Sequence, residues 1–219
     1  MGVSETETET AEHELESTTE VEEVEHEGGL SEEERERRNL ALAQVRQYGD
    51  PVLRSRASDV SEFGAELAAE AERMVAIMRD AMGVGLAATQ LGVLRRLLVF
   101  QAGADARPTA VANPRIEWLS DDLATADEGC LSLPGIAVEV ERSLHARVSG
   151  VDVDGEPLSI EASGLEARVL QHEIDHLDGV LILDRTTREQ RKGAMRALRE
   201  GETYTPEPPD GEQTHPDPE

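Results

Sequence analysis

Gln171-His172-Glu173-Ile174-Asp175-His176-Leu177-Asp178-Gly179 is the stretch on which the reading of this chain turns. Two histidines four residues apart on a helix share one face, near enough for both imidazoles to grip a single cation. Glu173 follows the first histidine and can reach a water on that cation as a general base. A chance pair of histidines is the competing reading. It fits less well, because the segment is half apolar and holds two of the chain's six histidines. Just upstream, Ser163-Gly164-Leu165-Glu166 has a capping-box pattern and is expected to open the helix, which then runs to about Leu177. Gly179 can supply its left-handed stop.

A catalytic site of this kind uses three protein ligands and leaves one position open. The metzincin pattern would put a third histidine at position 182; Gly179 matches that pattern, but the deciding residue is Ile182. A glutamate further along, as in thermolysin-like enzymes, could be Glu189 or Glu200, yet both fall in a polar, basic segment expected to face solvent. The remaining candidate is the lone thiol, Cys130, within Glu128-Gly129-Cys130-Leu131-Ser132-Leu133-Pro134. Free cysteine is often just a small buried hydrophobe. An apolar run would not need Glu-Gly before it and Pro after it. A Cys-His-His set suits a soft-to-borderline divalent ion such as Fe²⁺ or Zn²⁺.

Working outward, residues Val60 to Met82 read as an amphipathic helix, with Leu67, Met74, Val75, Ile77 and Met78 at helical spacing and Ser61 or Glu62 near its start. The Gly83-Val84-Gly85 segment stops it. Leu97 to Phe100 suits a buried strand. Alternation follows, through Ile136, Val138 and Val140 and then Ala146, Val148, Val151 and Val153. Asp154-Gly155 between apolar runs signals a type I′ hairpin. A last helix is expected over 186–199. Helix, strands, helix, helix, without βαβ alternation, is an α+β class with antiparallel strands packed around the central HExxH helix and a helix at the C-terminal end.

The chain of 219 residues carries a formal net charge of −26, and that charge is concentrated at its ends. Residues 1–34 hold 14 acids and no lysine or arginine; residues 201–219 hold 6 and again no basic residue. The segment between keeps 27 acids against all 21 basic residues. Neither end has the apolar residues to offset chain entropy, so 1–38 and 201–219 are expected to be disordered, solvating extensions flanking a catalytic domain over 39–200. A halophilic protein would instead spread acid over its folded surface. With one Trp, two Phe and two Tyr, the core must be aliphatic. There is no apolar run near 18 residues and no charged-then-apolar leader, so neither a membrane span nor a secretory signal is expected; no membrane or DNA partner is expected. A single cysteine fits a reducing, cytoplasmic location.

Three segments together resemble the signature motifs of the peptide deformylase family: Gly83-Val84-Gly85-Leu86-Ala87-Ala88-Thr89-Gln90, Glu128 through Pro134, and Gln171 through Gly179. Their order and spacing are similar to the family's, as is Asp50-Pro51-Val52-Leu53-Arg54 before the first helix, and the likeness spans roughly residues 40–185. HExxH alone is common; the three together are specific. The resemblance implies removal of the N-formyl group from the starting methionine of new proteins, with release of formate. It implies that Cys130, His172 and His176 bind the metal, usually Fe²⁺, although Zn²⁺, Ni²⁺ or Co²⁺ could fit such ligands. It implies Glu173 as proton carrier, with the Gln90 amide and the Leu131 backbone N–H aimed at the developing oxyanion. The substrate, an N-formyl-methionyl nascent peptide, would lie as an added strand hydrogen-bonded through Gly85. Val84, Leu165 and Val169 are candidates to hold its methionine side chain, with a core role as the competing reading for the last two.

From Arg185 to Arg199 there are six basic residues and one acid, Glu189. That is either a solvated helix face or, as in some members of the family, a surface for docking on the ribosome. A metallopeptidase cutting internal bonds is disfavoured by Ile182 and by the Cys130 segment. A non-catalytic metal or ribosome-binding module would have no reason to keep both Glu173 and Gln90.

Overall fold

The computed structural model describes residues 29–103 and 106–206. Most of the two acidic ends, 1–28 and 207–219, lies outside the described residues, so their expected disorder goes untested. Within the described part the elements run α1 (Glu32–Leu42), a 3₁₀ turn (Pro51–Arg54), α2 (Ala65–Asp80), β1 (Gly85–Ala87), a second 3₁₀ turn (Ala88–Leu91), β2 (Leu97–Phe100), β3 (Thr109–Leu119), β4 (Leu123–Gly129), β5 (Ala137–Ser143), β6 (His145–Val151), β7 (Pro157–Ser163), α3 (Leu165–Leu177), α4 (Ile182–Arg185) and α5 (Arg188–Glu200). β1-β2-β3-β6-β7 form one antiparallel sheet and β4-β5 a second. The α+β class with antiparallel strands and a C-terminal helix is what the sequence led us to expect.

Strand β2 shows why α3 sits at the centre. All four of its residues are buried because the two faces of the pleat meet different helices. Leu97 and Val99 join Leu86 and Ala112 against α2, through Leu67, Met74, Ile77 and Met78. Leu98 and Phe100 join Ala87, Val111 and Val148 against α3, through Ala167, Val169, Leu170, Ile174 and Leu177. The strand register agrees, pairing Leu86 with Val99 and Leu97 with Ala112 on one face, and Ala87 with Leu98 and Leu98 with Val111 on the other. A third cluster joins β5 residues Val138 and Val140 to Ile182 and Leu183 of α4 and Ala194 and Ala197 of α5.

Several local expectations need revision. Helix α2 starts at Ala65, not near Val60, because the Asn113 side chain pins Val60 through both its N–H (2.7 Å) and its C=O (2.9 Å). Its C-terminus needs no glycine: Met82 takes the left-handed position at φ 60°, and Gly83 N–H returns to Met78 O. The capping box of α3 does not form. Gly164 is the N-cap, and the Ser163 hydroxyl meets His145 Nδ1 at 2.9 Å. The β6–β7 turn is not type I′, since Gly155 (φ 89°) but not Asp154 has positive φ. The Asp152 carboxylate accepts from Asp154 N and Glu156 N instead, giving a three-residue loop ending in a left-handed glycine. Residues 32–38, assigned to the disordered extension, belong to α1. Tyr204, assigned to the disordered tail, bridges to Ile136. Gly179 stops α3 as expected, at φ 76° with Val180 N–H on Asp175 O.

Candidate metal centre

Helix α3 presents His172 and His176 one turn apart, their rings 4.9 Å centroid to centroid in an edge-on arrangement. Cys130 arrives from another element, the turn directly after β4, and its Sγ lies 3.2 Å from His176 Nε2. The donor atoms of Cys130, His172 and His176 all fall within 4.8 Å of one another. Ile182, at the metzincin position, is instead buried against Leu183 and β5.

A second set of residues holds these donors in place. The Glu128 carboxylate, buried at the end of β4, accepts His172 Nδ1 at 3.0 Å, which leaves Nε2 of that ring for a cation. Arg142 of β5 grips Glu128 bidentately (2.8 and 2.9 Å) and reaches Asp175 of α3 with its remaining nitrogen at 2.7 Å. Arg168 adds a bond to Glu128 at 2.7 Å, and Arg185 one to Asp175 at 2.9 Å. The guanidinium of Arg142 thus ties β4, the strand that leads into the thiol's turn, to the helix that carries the histidines. Burial works against ionising Glu128, but the hydrogen bonds and charge of Arg142 and His172 hold its carboxyl well below the usual carboxylate range. Sequence reading missed Arg142, Arg168, Asp175 and Arg185. Asp175 stands inside HEIDH and Glu128 inside the Cys130 motif, so a signal existed there; for Arg142 none did.

Glu173 is 4% exposed, and its Oε2 has no hydrogen-bond partner. Burial pushes its carboxyl up to about 7, the charge of His172 pulling down and that of Glu128 pushing up. Gly85 makes the room for this carboxyl: a Cβ there would lie 2.8 Å from Glu173 Cγ and Cδ and closer still to Oε1. Gln90 fixes its carbonyl on Ala87 N–H at 2.9 Å and turns its amide toward Cys130 Sγ (3.7 Å) and Ser132 Oγ (3.3 Å). Leu131 is half-buried, its Cδ1 facing Gly83. Val84 and Leu165 are exposed, whereas Val169 is buried in the sheet core. The core reading therefore holds for Val169 and fails for Leu165.

The donor chemistry fits a single divalent ion. One thiol and two imidazoles are the N/S set that such ions take. Glu173 Oε2, on the residue next to His172, is buried without a hydrogen-bond partner, as happens where a site is completed by something other than protein.

Residues 42–192 match the sequence profile of the polypeptide deformylase family. The chain belongs to that family. It is 47% identical over 162 residues to peptide deformylase 1 of Corynebacterium glutamicum, covering 73% of this chain and 96% of that protein. It is 46% identical over 163 residues to the peptide deformylase of Acidothermus cellulolyticus, covering 74% and 89%. The crystal structure of the Thermus thermophilus peptide deformylase superposes with a TM-score of 0.68 at 43% identity, covering 72% of this chain and 93% of that one. As a family member the chain is a metal-dependent hydrolase that removes the N-formyl group from nascent peptides. No helix among the described residues is long and apolar enough to cross a membrane.

Proposed function

We propose that Cys130, His172 and His176 hold one divalent ion, Fe²⁺ in the native protein, and that deformylation runs through Glu173, Gln90 and Leu131. The observation that carries this reading is the convergence of three N/S donors within 4.8 Å beside a buried carboxyl with an unpartnered oxygen. The ion supplies a Lewis acid that makes water nucleophilic near neutral pH. Glu173 takes a proton from the attacking water and returns it to the departing amine as the C–N bond breaks, leaving formate and a free α-amino group. The Gln90 amide and the Leu131 backbone N–H donate to the formyl oxygen as it gains charge. Gln90 is preorganised for this, since Ala87 N–H already holds its carbonyl end.

The peptide adds to the free edge of β1, the terminal strand of the five-stranded sheet, with hydrogen bonds through Gly85. Val84 and Leu165, both exposed, are the side chains offered to the methionine, and the buried Val169 serves the core. A formyl group is small, so larger acyl groups are excluded. Formate release from formyl-Met-Ala-Ser tests this against acetyl-Met-Ala-Ser; comparable turnover of the two would refute the pocket reading. Helix α5 serves as a ribosome-docking surface, for which its exposed Arg188, Arg191, Lys192, Arg196 and Arg199 are the support. Action on nascent chains, together with the single thiol, puts the protein in the cytoplasm.

A further inference from the structure

Past helix α5, residues 201–206 stay on the domain. Gly201 caps the helix at φ 70°, Glu202 N–H returns to Ala197 O, and Tyr204 then pairs with backbone beyond the Cys130 turn. Tyr204 N–H donates to Gly135 O and Tyr204 O accepts from Ala137 N–H, both at 2.8 Å. The neighbouring glycines are shaped around this segment. A Cβ on Gly193 would sit 2.9 Å from Tyr204 Cζ and closer still to Cε2. A Cβ on Gly135, itself at φ 73°, would meet Thr203 Cγ2 at 3.1 Å. The turn that this segment grips is the one that presents the thiol: Leu133 N–H closes on Cys130 O at 2.9 Å and Ile136 N–H on Leu133 O at 3.1 Å. Tyr48 N–H holds the same turn elsewhere, through Ser132 O at 2.9 Å. Cys130 and Tyr204 pack against the same cluster, around Leu133, Ile136 and Ala194.

We propose that residues 202–206 are a strap for the metal centre, with Tyr204 a positioning residue that fixes the Cys130–Leu131 turn through Gly135 and Ala137. The strap lies C-terminal to the stretch 42–192 that matches the family profile. Its action is to hold the thiol and the Leu131 N–H at a set distance from the α3 histidines, which arrive on a separate element. The proposal rests on Cys130, His172 and His176 being metal ligands.

The test compares the full chain with chains ending at Pro206 and at Gly201, and with Tyr204→Phe and Tyr204→Gly. Zn²⁺ affinity is read by competition with a chromophoric chelator, and the thiolate-to-metal absorption band is read on Co²⁺-loaded protein. The kcat and KM for formyl-Met-Ala-Ser and the melting temperature of metal-free samples complete the set. The chain ending at Pro206, which keeps the whole strap, should match the full chain, and Tyr204→Phe, which keeps the ring over Gly193, should retain more Zn²⁺ affinity than Tyr204→Gly. The chain ending at Gly201 and Tyr204→Gly should lose about 10- to 100-fold in Zn²⁺ affinity, the range expected when support of a metal ligand is removed. Their cobalt band should shift, and kcat should fall while KM stays within about threefold. A lower melting temperature with unchanged Zn²⁺ affinity and cobalt band would overturn the proposal, because the strap would then be stability alone. A full chain that binds no Zn²⁺ would overturn the ligand assignment and the strap together.

Discussion

Replacing Gly85 with alanine puts a methyl group into the space occupied by the Glu173 carboxyl. The added Cβ lies 2.8 Å from Glu173 Cγ and Cδ, where ordinary contact begins at 3.4 Å, and it lies closer still to Oε1. Neither partner can yield freely. β1 is held to β2 in register, Gly85 opposite Phe100, and Glu173 is 4% exposed in the middle of α3. Relief therefore displaces the carboxyl by about 1 Å, and a misplacement of that size at a reacting group costs on the order of 10²-fold in rate. Overpacking should also cost about 1–3 kcal/mol of stability. Gly85 has no positive φ, so the loss cannot come from backbone strain. Formate release from formyl-Met-Ala-Ser, with metal content and urea unfolding on the same preparations, measures both effects. Gly129→Ala is the comparison, since a Cβ there meets Ile136 O at an ordinary 3.8 Å, and its activity should stay within about threefold of wild type. A Gly85→Ala enzyme as active and stable as wild type would refute the claim that this glycine makes room for Glu173.

Other outcomes follow from the same geometry. Arg142→Ala leaves Glu128 and Asp175 buried without their shared partner; chelator competition should show about 10- to 100-fold weaker metal binding, and an unchanged affinity would remove Arg142 from the support of the site. In metal-free protein the raised Glu173 carboxyl favours folding below pH 4.5, and that contribution is lost as pH rises to about 7. Glu173→Gln should therefore match wild type in acid and become more stable than it above neutrality, by about 3 kcal/mol from the linkage of pKa to free energy. Urea unfolding across that window checks the sign, and a gap that widens toward acid would contradict it. Leu170→Ala empties a fully buried position between α3 and the sheet and should cost about 2–5 kcal/mol. If α5 docks on ribosomal RNA, charge reversal at Arg188, Lys192 and Arg199 should reduce ribosome cosedimentation, more so at low salt; unchanged cosedimentation would refute docking through this helix.

What was legible in the sequence follows the range of the interactions involved. His172, Glu173 and His176 could be placed together from spacing because one helical turn sets their geometry. The buried LLVF strand could be read because helices cover both faces of β2 and leave no polar alternation. Cys130 was legible as a candidate ligand through its Gly-punctuated motif, once Ile182, Glu189 and Glu200 were set aside. Arg142 was not legible: its partners Glu128 and Asp175 lie 14 and 33 residues away on other elements, and no local pattern marks an arginine that will be buried. The local signals that failed were overridden by tertiary contacts. Ser163 was drawn from its cap by His145, and Val60 from its helix by Asn113. Tyr204 was masked by its acidic, proline-rich surroundings, which outweighed one aromatic residue able to find a glycine-lined seat.

The central claim is that Glu173 moves the proton at a centre formed by Cys130, His172 and His176. Its most direct measurement is formate release from formyl-Met-Ala-Ser by anaerobically purified wild type and Glu173→Ala, with metal assayed on the same samples. We expect formate from the wild type and a loss of at least about 10²-fold in the variant, with one metal ion per chain in both. Equal formate release from the two metal-loaded proteins would contradict the account.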